Sequence, residues 1–308
     1  MSYTAKVIKT PSSDGKHTLV GRVYIPDGEI KGFFQVVHGM AEHIARYDGF
    51  MQRMANEGFL CFGHDHLGHG MTAESDDELG FIASKGGDSL LVNDVKAYYD
   101  AVAAEFGKAP EQPYILMGHS MGSFIVRLAT AKYKSPDKLI IMGTGGKNPL
   151  ATPGIAIISL VKALRGGKRL SPLVQKLAFG SYNDHFDAAP DDILPWLSSD
   201  EEIRRRYYAD EYCGFVFTVS AMRDLVRMNR DCNLERWYKN MPASLPVLLV
   251  SGEEDPVGNY SKGVLEVEEG LKKQGVPVKC VIYKGARHEI LEDFTHDDVV
   301  RDILAFVE

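Results

Sequence analysis

Three side chains far apart in this sequence could together turn an alcohol into a nucleophile. Ser120 lies in Gly118-His119-Ser120-Met121-Gly122, a G-x-S-x-G turn. A serine hydroxyl is a poor nucleophile at neutral pH; it needs an imidazole to take its proton and a carboxylate to orient that imidazole. Gly252-Glu253-Glu254-Asp255-Pro256 and Gly285-Ala286-Arg287-His288-Glu289 supply Asp255 and His288 as candidates. Serine, then acid, then histidine is one of the chain orders in which such triads occur. Each member also has a plainer reading. The turn could be an ordinary glycine-flanked bend. Asp255 could cap a helix, with Glu253 or Glu254 as the acid. His296 is the other late histidine, but it abuts the terminal helical pattern.

The elements around these residues decide between the readings. Tyr114-Ile115-Leu116-Met117 before the turn is a continuous apolar run, the mark of a strand buried on both faces. Ser123 to Ala129 after it reads as a helix without a breaker. A serine forced through a sharp strand-to-helix turn needs neighbours without side chains, which Gly118 and Gly122 provide. The new helix would aim backbone N–H groups at the reaction centre. Further strands are expected at Ala5 to Thr10 and Leu19 to Pro26, joined at Asp14-Gly15, then at Phe33 to His38, Phe59 to Phe62 and Lys138 to Gly143. Helices are expected from Tyr47 to Glu57, closed by Gly58, and from Ser89 to Phe106 behind an Asp88 cap. The alternation stops near Gly146 and resumes at Pro246 to Ser251, followed by a helix from about Ser261 to Gln274, a strand from Val276 to Tyr283 and a helix from Asp297 to Val307. This alternation predicts an α/β, mostly parallel, eight-stranded sheet with helices on both faces. A helical cap is inserted after the sixth strand. The expected division is core 1–145, cap 146–237 and core 238–308. Such an insertion sits over the strand ends, where open α/β sheets bind ligands.

A tetrahedral intermediate needs N–H donors for its oxyanion. One should be Met121, after the nucleophile; the other should come from His38-Gly39-Met40 after the third strand, where Gly39 lets the backbone approach and Met40 N–H is the candidate. His38-Gly39-Met40-Ala41-Glu42-His43, Gly63-His64-Asp65-His66-Leu67-Gly68-His69-Gly70, Gly118-His119-Ser120-Met121-Gly122, Asp255 and His288 together resemble the monoacylglycerol lipase and lysophospholipase group of α/β-hydrolases, the serine aminopeptidase type. The likeness spans nearly the whole chain, more loosely over Asn183 to Trp196. It implies the α/β-hydrolase fold and cofactor-free hydrolysis of a carboxylic ester whose acyl chain lies under a mobile cap. It carries over Ser120, Asp255 and His288 as the triad, with Met40 and Met121 as oxyanion donors. Met40 departs from the alanine common in mammalian members, and Met71 from a small or basic residue. Gly39, Glu42, His43 and His119 are the candidate substrate-binding residues; for Glu42 and His43 the other reading is that they brace the oxyanion loop. His64, His66 and His69 are read as loop residues rather than metal ligands, with Asp65 bonding main-chain groups.

Composition narrows the rest. The chain has 308 residues, 44% hydrophobic content and net charge -7, which suits one large unit with an insertion and argues against a nucleic-acid partner. No apolar run reaches membrane-spanning length, and the polar start Met1-Ser2-Tyr3-Thr4-Ala5-Lys6 lacks a secretory pattern, so a cytoplasmic location is expected. Cys61, Cys213, Cys232 and Cys280 are read as free thiols. Neither cofactor nor metal is expected, and the oligomeric state is not readable. In the insertion, Ile155, Ile157, Ile158, Leu160, Val161 and Leu164 crowd one helix beside Lys162, Arg165, Lys168, Arg169 and Lys176. That helix can contact a membrane or micelle surface transiently, shape an acyl tunnel, or pack on the core with its lysines solvated. Asp184, Asp187, Asp191, Asp192, Asp200, Glu201 and Glu202 follow, expected to balance the basic patch. Tyr207, Tyr208, Tyr212, Phe215 and Phe217 are read chiefly as cap core. Beside ester hydrolysis, three readings remain open: an amidase or peptidase with the same triad, a carbon–carbon bond hydrolase or cofactor-free haloperoxidase, and a non-catalytic ligand receptor.

Overall fold

The computed structural model describes residues 2–187, 192 and 194–308. Among them runs one eight-stranded sheet in the order β1-β2-β4-β3-β5-β6-β7-β8. β1 (Tyr3–Pro11) and β2 (Thr18–Pro26) form an antiparallel entry, and β2 pairs antiparallel with β4 (Phe59–His64). From β4 through β3 (Gly32–Val37), β5 (Tyr114–His119), β6 (Lys138–Met142), β7 (Val247–Gly252) and β8 (Val278–Tyr283) every pairing is parallel.

The continuous apolar runs are explained by burial on two sides. Successive side chains of a strand point to opposite faces. Phe33 therefore enters one core, packed against α2 (Gly87–Glu105) and α3 (Met121–Tyr133), while Phe34 enters the other, against α1 (Asp48–Asn56) and α10 (His296–Val307). Every residue of β3, β4, β5 and β7 is buried. At about 1.5–3 kcal/mol for each fully buried large apolar side chain, this central ladder holds the strand ends fixed.

Between β6 and β7 come α4 (Ala151–Arg165), α5 (Pro172–Phe179), α6 (Glu201–Ala209), α7 (Val219–Asp231) and α8 (Glu235–Asn240). α9 (Lys262–Lys273) separates β7 from β8. Among the described residues of this insertion there is no strand. Ile155 and Ile158 of α4 are buried, whereas Ile157, Leu160 and Leu164 are exposed, as are Leu170, Leu173 and Leu177 nearby. Tyr207 and Phe217 are buried, in keeping with the core reading, while Tyr208 is exposed.

Two expectations differ from the structure. The second helix is not capped by Asp88: its N-cap is Gly86, at φ 70, and Asp88 lies in the first turn, 3.4 Å from Arg227. The left-handed entry needs a residue without a Cβ penalty, so glycine takes the position. Four of the insertion's acids engage groups other than its basic patch. Asp192 pairs with Arg204, Asp200 caps α6, and Glu201 and Glu202 pair with Arg205 and Arg206. Spacing of four residues along α6 offers Glu201 and Glu202 nearer partners. Asp191 lies outside the described residues. No helix among those described is long and apolar enough to cross a membrane.

Candidate active site

β5 delivers Ser120 to the carboxyl end of the sheet, and the backbone there is bent hard. Ser120 has φ 54 and ψ -121, a left-handed geometry that side chains other than glycine's rarely adopt. The flanking glycines are there by necessity. A Cβ on Gly118 would overlap the Gly122 carbonyl, and one on Gly122 would overlap the Val37 and His38 carbonyls. The turn is held by Ser120 N–H donating to Met142 O at 3.0 Å and by the Ser123 hydroxyl donating to Ser120 O at 2.6 Å. Ser120 itself stays partly exposed.

β7 and β8 deliver the other two groups. His288 Nδ1–H donates to Asp255 Oδ2 at 2.9 Å, with both side chains buried. Asp255 Oδ1 accepts Val257 N–H at 2.8 Å, which fixes the carboxylate plane. The rival acids are engaged elsewhere: Glu253 accepts Gly285 N–H at 3.0 Å, and Glu254 lies 3.8 Å from Arg287. With Nδ1 protonated, His288 keeps a free lone pair on Nε2. The His288 loop is tied to the serine turn by His119, whose Nε2–H donates to His288 O at 3.3 Å and whose ring centroid is 4.7 Å from that of His288. The insertion holds the same loop from above. Glu289 N–H donates to Leu197 O at 2.8 Å, Arg287 donates to Pro195 O at 2.6 Å, and the Trp196 ring lies 5.1 Å from the His288 ring.

The loop after β3 packs directly on Ser120. A Cβ on Gly39 would come within 3.1 Å of Ser120 Cβ. Neither Met40 N–H nor Met121 N–H donates to any group among the described residues, so both are available to an oxyanion. Beneath the loop lies a buried charge network. Glu42 accepts Gly39 N–H at 2.5 Å, Arg46 at 2.6 Å and the Tyr47 hydroxyl at 2.9 Å. Arg46 in turn grips Glu289 bidentately at 2.5 and 2.7 Å. Since Tyr47 donates to Glu42, it accepts His119 Nδ1–H at 2.9 Å. Both ring nitrogens of His119 then donate. Burial opposes a charge on His119, but Glu42 outweighs it and raises the imidazole above its usual value. Burial likewise opposes ionisation of Glu42, while Arg46, His119 and Gly39 N–H hold it well below the usual carboxylate range. These bonds describe Glu42 and His119 as braces of the loop. His43 reaches the other way, bonding Asp210 of the insertion at 2.8 Å.

The histidine-rich loop serves the same purpose. His38 Nδ1–H donates to Gly39 O at 2.8 Å and its Nε2 accepts His66 N–H at 3.1 Å; His66 Nε2–H returns to His38 O at 3.1 Å. His69 donates to Leu67 O at 3.0 Å. Burial holds His64 down to about 3 and His69 to about 4, so these rings stay neutral. Asp65 accepts Ile44 N–H and Met71 N–H, each at 2.8 Å. Sequence reading missed Arg46, Tyr47, Glu289 and Trp196. Arg46 and Glu289 are 243 residues apart, and no local spacing signals such a pair.

Comparison with known proteins agrees with this architecture. The family model described as serine aminopeptidase, S33, matches residues 28–295. The mouse monoglyceride lipase is 27% identical over 281 residues, covering 90% of this chain and 81% of that protein. The monoacylglycerol lipase of Mycolicibacterium smegmatis is 25% identical, covering 94% of this chain and 92% of that protein. Among solved structures, a thermostable carboxyl esterase from Bacillus coagulans in complex with glycerol superposes with TM-score 0.91 at 28% identity, over 99% of this chain and 98% of that one. With its eight-stranded, mostly parallel sheet, its strained serine turn and a family match over most of its length, this chain belongs to the serine aminopeptidase S33 family of α/β-hydrolases, the group that resembles the monoacylglycerol lipases.

Proposed function

We propose that the chain is a carboxylic ester hydrolase that cleaves monoacylglycerol-like lipids or small acyl esters through an acyl-enzyme on Ser120. The single observation that carries this is the His288–Asp255 hydrogen bond at 2.9 Å, on a loop bonded to His119, the neighbour of the strained, partly exposed Ser120. His288 Nε2 takes the Ser120 proton as Oγ attacks the ester carbonyl. Met40 and Met121 N–H groups receive the oxyanion. His288 then gives its proton to the leaving alcohol, the ester C–O bond breaks, and water deprotonated by His288 frees the acid. Asp255 keeps Nδ1 protonated and stabilises the imidazolium.

The esterase and lipase names of the relatives favour ester over amide as substrate, although the family description names an aminopeptidase. On this reading residues 1–145 and 238–308 form the catalytic core and 146–237 a cap over it. The exposed Leu160, Leu164, Leu173 and Leu177, with Lys168, Arg169 and Lys176 among them, suit transient contact with a lipid surface. The test is turnover of a chain-length series of monoacylglycerols, p-nitrophenyl esters and a matched acyl amide. The expected result is ester turnover abolished by Ser120→Ala, with the amide cleaved far more slowly. Undiminished ester turnover by Ser120→Ala, or preferred cleavage of the amide, would overturn the reading.

A further inference from the structure

Away from the Ser120 site, His43, Asp210 and Cys213 converge. A ring nitrogen, a carboxylate oxygen and Sγ all lie within 4.8 Å of one another. The residues come from two separate places: His43 ends the loop after β3, while Asp210 and Cys213 follow α6 in the insertion. A tetrahedral ion with ligands at about 2.0–2.3 Å sets its donor atoms roughly 3.5 Å apart, so small side-chain rotations would close this trio on one ion. The nearby cation, Arg46, is already neutralised by Glu42 and Glu289.

We propose that His43, Asp210 and Cys213 bind one divalent ion of the zinc class, and that the ion clamps the insertion onto the oxyanion loop and suppresses turnover. Imidazole, carboxylate and thiolate together suit zinc rather than magnesium or calcium, which take oxygen ligands. On binding, the Cys213 thiol releases its proton to solvent and its sulfur lone pair binds the metal; nothing is oxidised. The two anionic donors then balance the 2+ charge, and a water completes the fourth position. The same segment already touches the loop it would clamp. Gly214 N–H donates to Ala41 O at 2.9 Å, and the Tyr207 hydroxyl donates to the same oxygen at 2.7 Å. Ala41, at φ 53, directly follows Met40. An ion would turn these neutral contacts into a fixed link that resists movement of the insertion away from Ser120.

The suppression rests on the proposed ester hydrolysis; the binding does not, and the two are read separately. The full chain is titrated with Co²⁺ and then with Zn²⁺, without substrate, as wild type, Cys213→Ser and Asp210→Asn. The expected result is one Co²⁺ per wild-type chain with a sulfur-to-cobalt charge-transfer band, displaced by Zn²⁺. The band should be absent in Cys213→Ser, and both variants should bind Zn²⁺ at least about tenfold more weakly. Zn²⁺ should inhibit ester turnover of the wild type and spare Cys213→Ser, whose turnover without metal matches the wild type. His17, Glu74 and Glu78 form the other cluster of possible ligands among the described residues. Both variants leave it intact, so binding there would appear equally in all three proteins and without a thiolate band. No thiolate band at stoichiometric Co²⁺, or equal Zn²⁺ affinity of wild type and Cys213→Ser, would overturn the site. Equal inhibition of the two would overturn the clamp.

Discussion

Around Ser120 the charged side chains are buried and bonded to one another; on α4 and α5, by contrast, leucines stand in water. Glu42, His119 and Glu289 are each under 5% exposed and joined through Arg46 and Tyr47. Leu160, Leu164 and Leu177 are 61%, 76% and 60% exposed. A low-dielectric network with its bonds satisfied fixes positions to a fraction of an ångström, which transition-state stabilisation requires. Exposed apolar surface fixes nothing by itself and is suited to meeting something else apolar. Within the proposed function, the rim of the sheet carries out the chemistry and the insertion selects and receives the lipid.

Variants at the rim should break the chemistry and leave the lipid contact. Ser120→Ala should lower kcat by about 10⁴-fold or more in a p-nitrophenyl ester assay. Asp255→Asn should cost about 10³- to 10⁴-fold, because an amide in place of the carboxylate favours the wrong imidazole tautomer. Arg46→Met should destabilise the fold by about 3–5 kcal/mol in urea titration, since it strands Glu289 as a buried, unpaired charge and removes a cationic partner of Glu42.

The network also separates two pH windows. Burial pushes the Glu292 carboxyl up to about 7, against the pull of Arg46. Its folded value lies above the unfolded 4.5, so the folded chain holds an extra proton between those values. Glu292 therefore makes stability fall as pH rises from about 4.5 to 7. Glu42 has the opposite sign: its folded value is depressed, so its contribution is present above 4.5 and fades as pH falls. Thermal melting across this range should show the decline toward pH 7 flattened in Glu292→Gln. An unchanged slope would remove Glu292 from the account. The smallest effect on chemistry should come from the insertion. Leu160→Asp with Leu164→Asp should reduce co-sedimentation with anionic vesicles severalfold while turnover of a water-soluble ester stays within about twofold.

What the sequence made legible follows the same division. Strands buried on both faces must be continuously apolar, so β3 to β7 could be placed from their runs alone. The Ser120 turn was legible because its sterics demand glycine at two fixed offsets. The Glu42–Arg46–Glu289 network was not: Glu42 and Arg46 are four residues apart, but their link to Glu289 joins distant loops, and such a pair leaves no periodic trace. Asp88 misled because a good capping residue next to two glycines reads as the cap, whereas the backbone needed a left-handed residue at Gly86. The pairing of Glu201 and Glu202 was missed because total charge was weighed and helical spacing was not.

The central claim is that the Ser120 hydroxyl is the group that His288 activates. A fluorophosphonate probe tests it most directly: Oγ bonds phosphorus, fluoride leaves, and intact-mass analysis with peptide mapping locates the adduct. One adduct per chain on the Ser120 peptide is expected, absent in Ser120→Ala and formed far more slowly in His288→Ala. An adduct on another residue, or labelling of Ser120→Ala at the wild-type rate, would contradict the account.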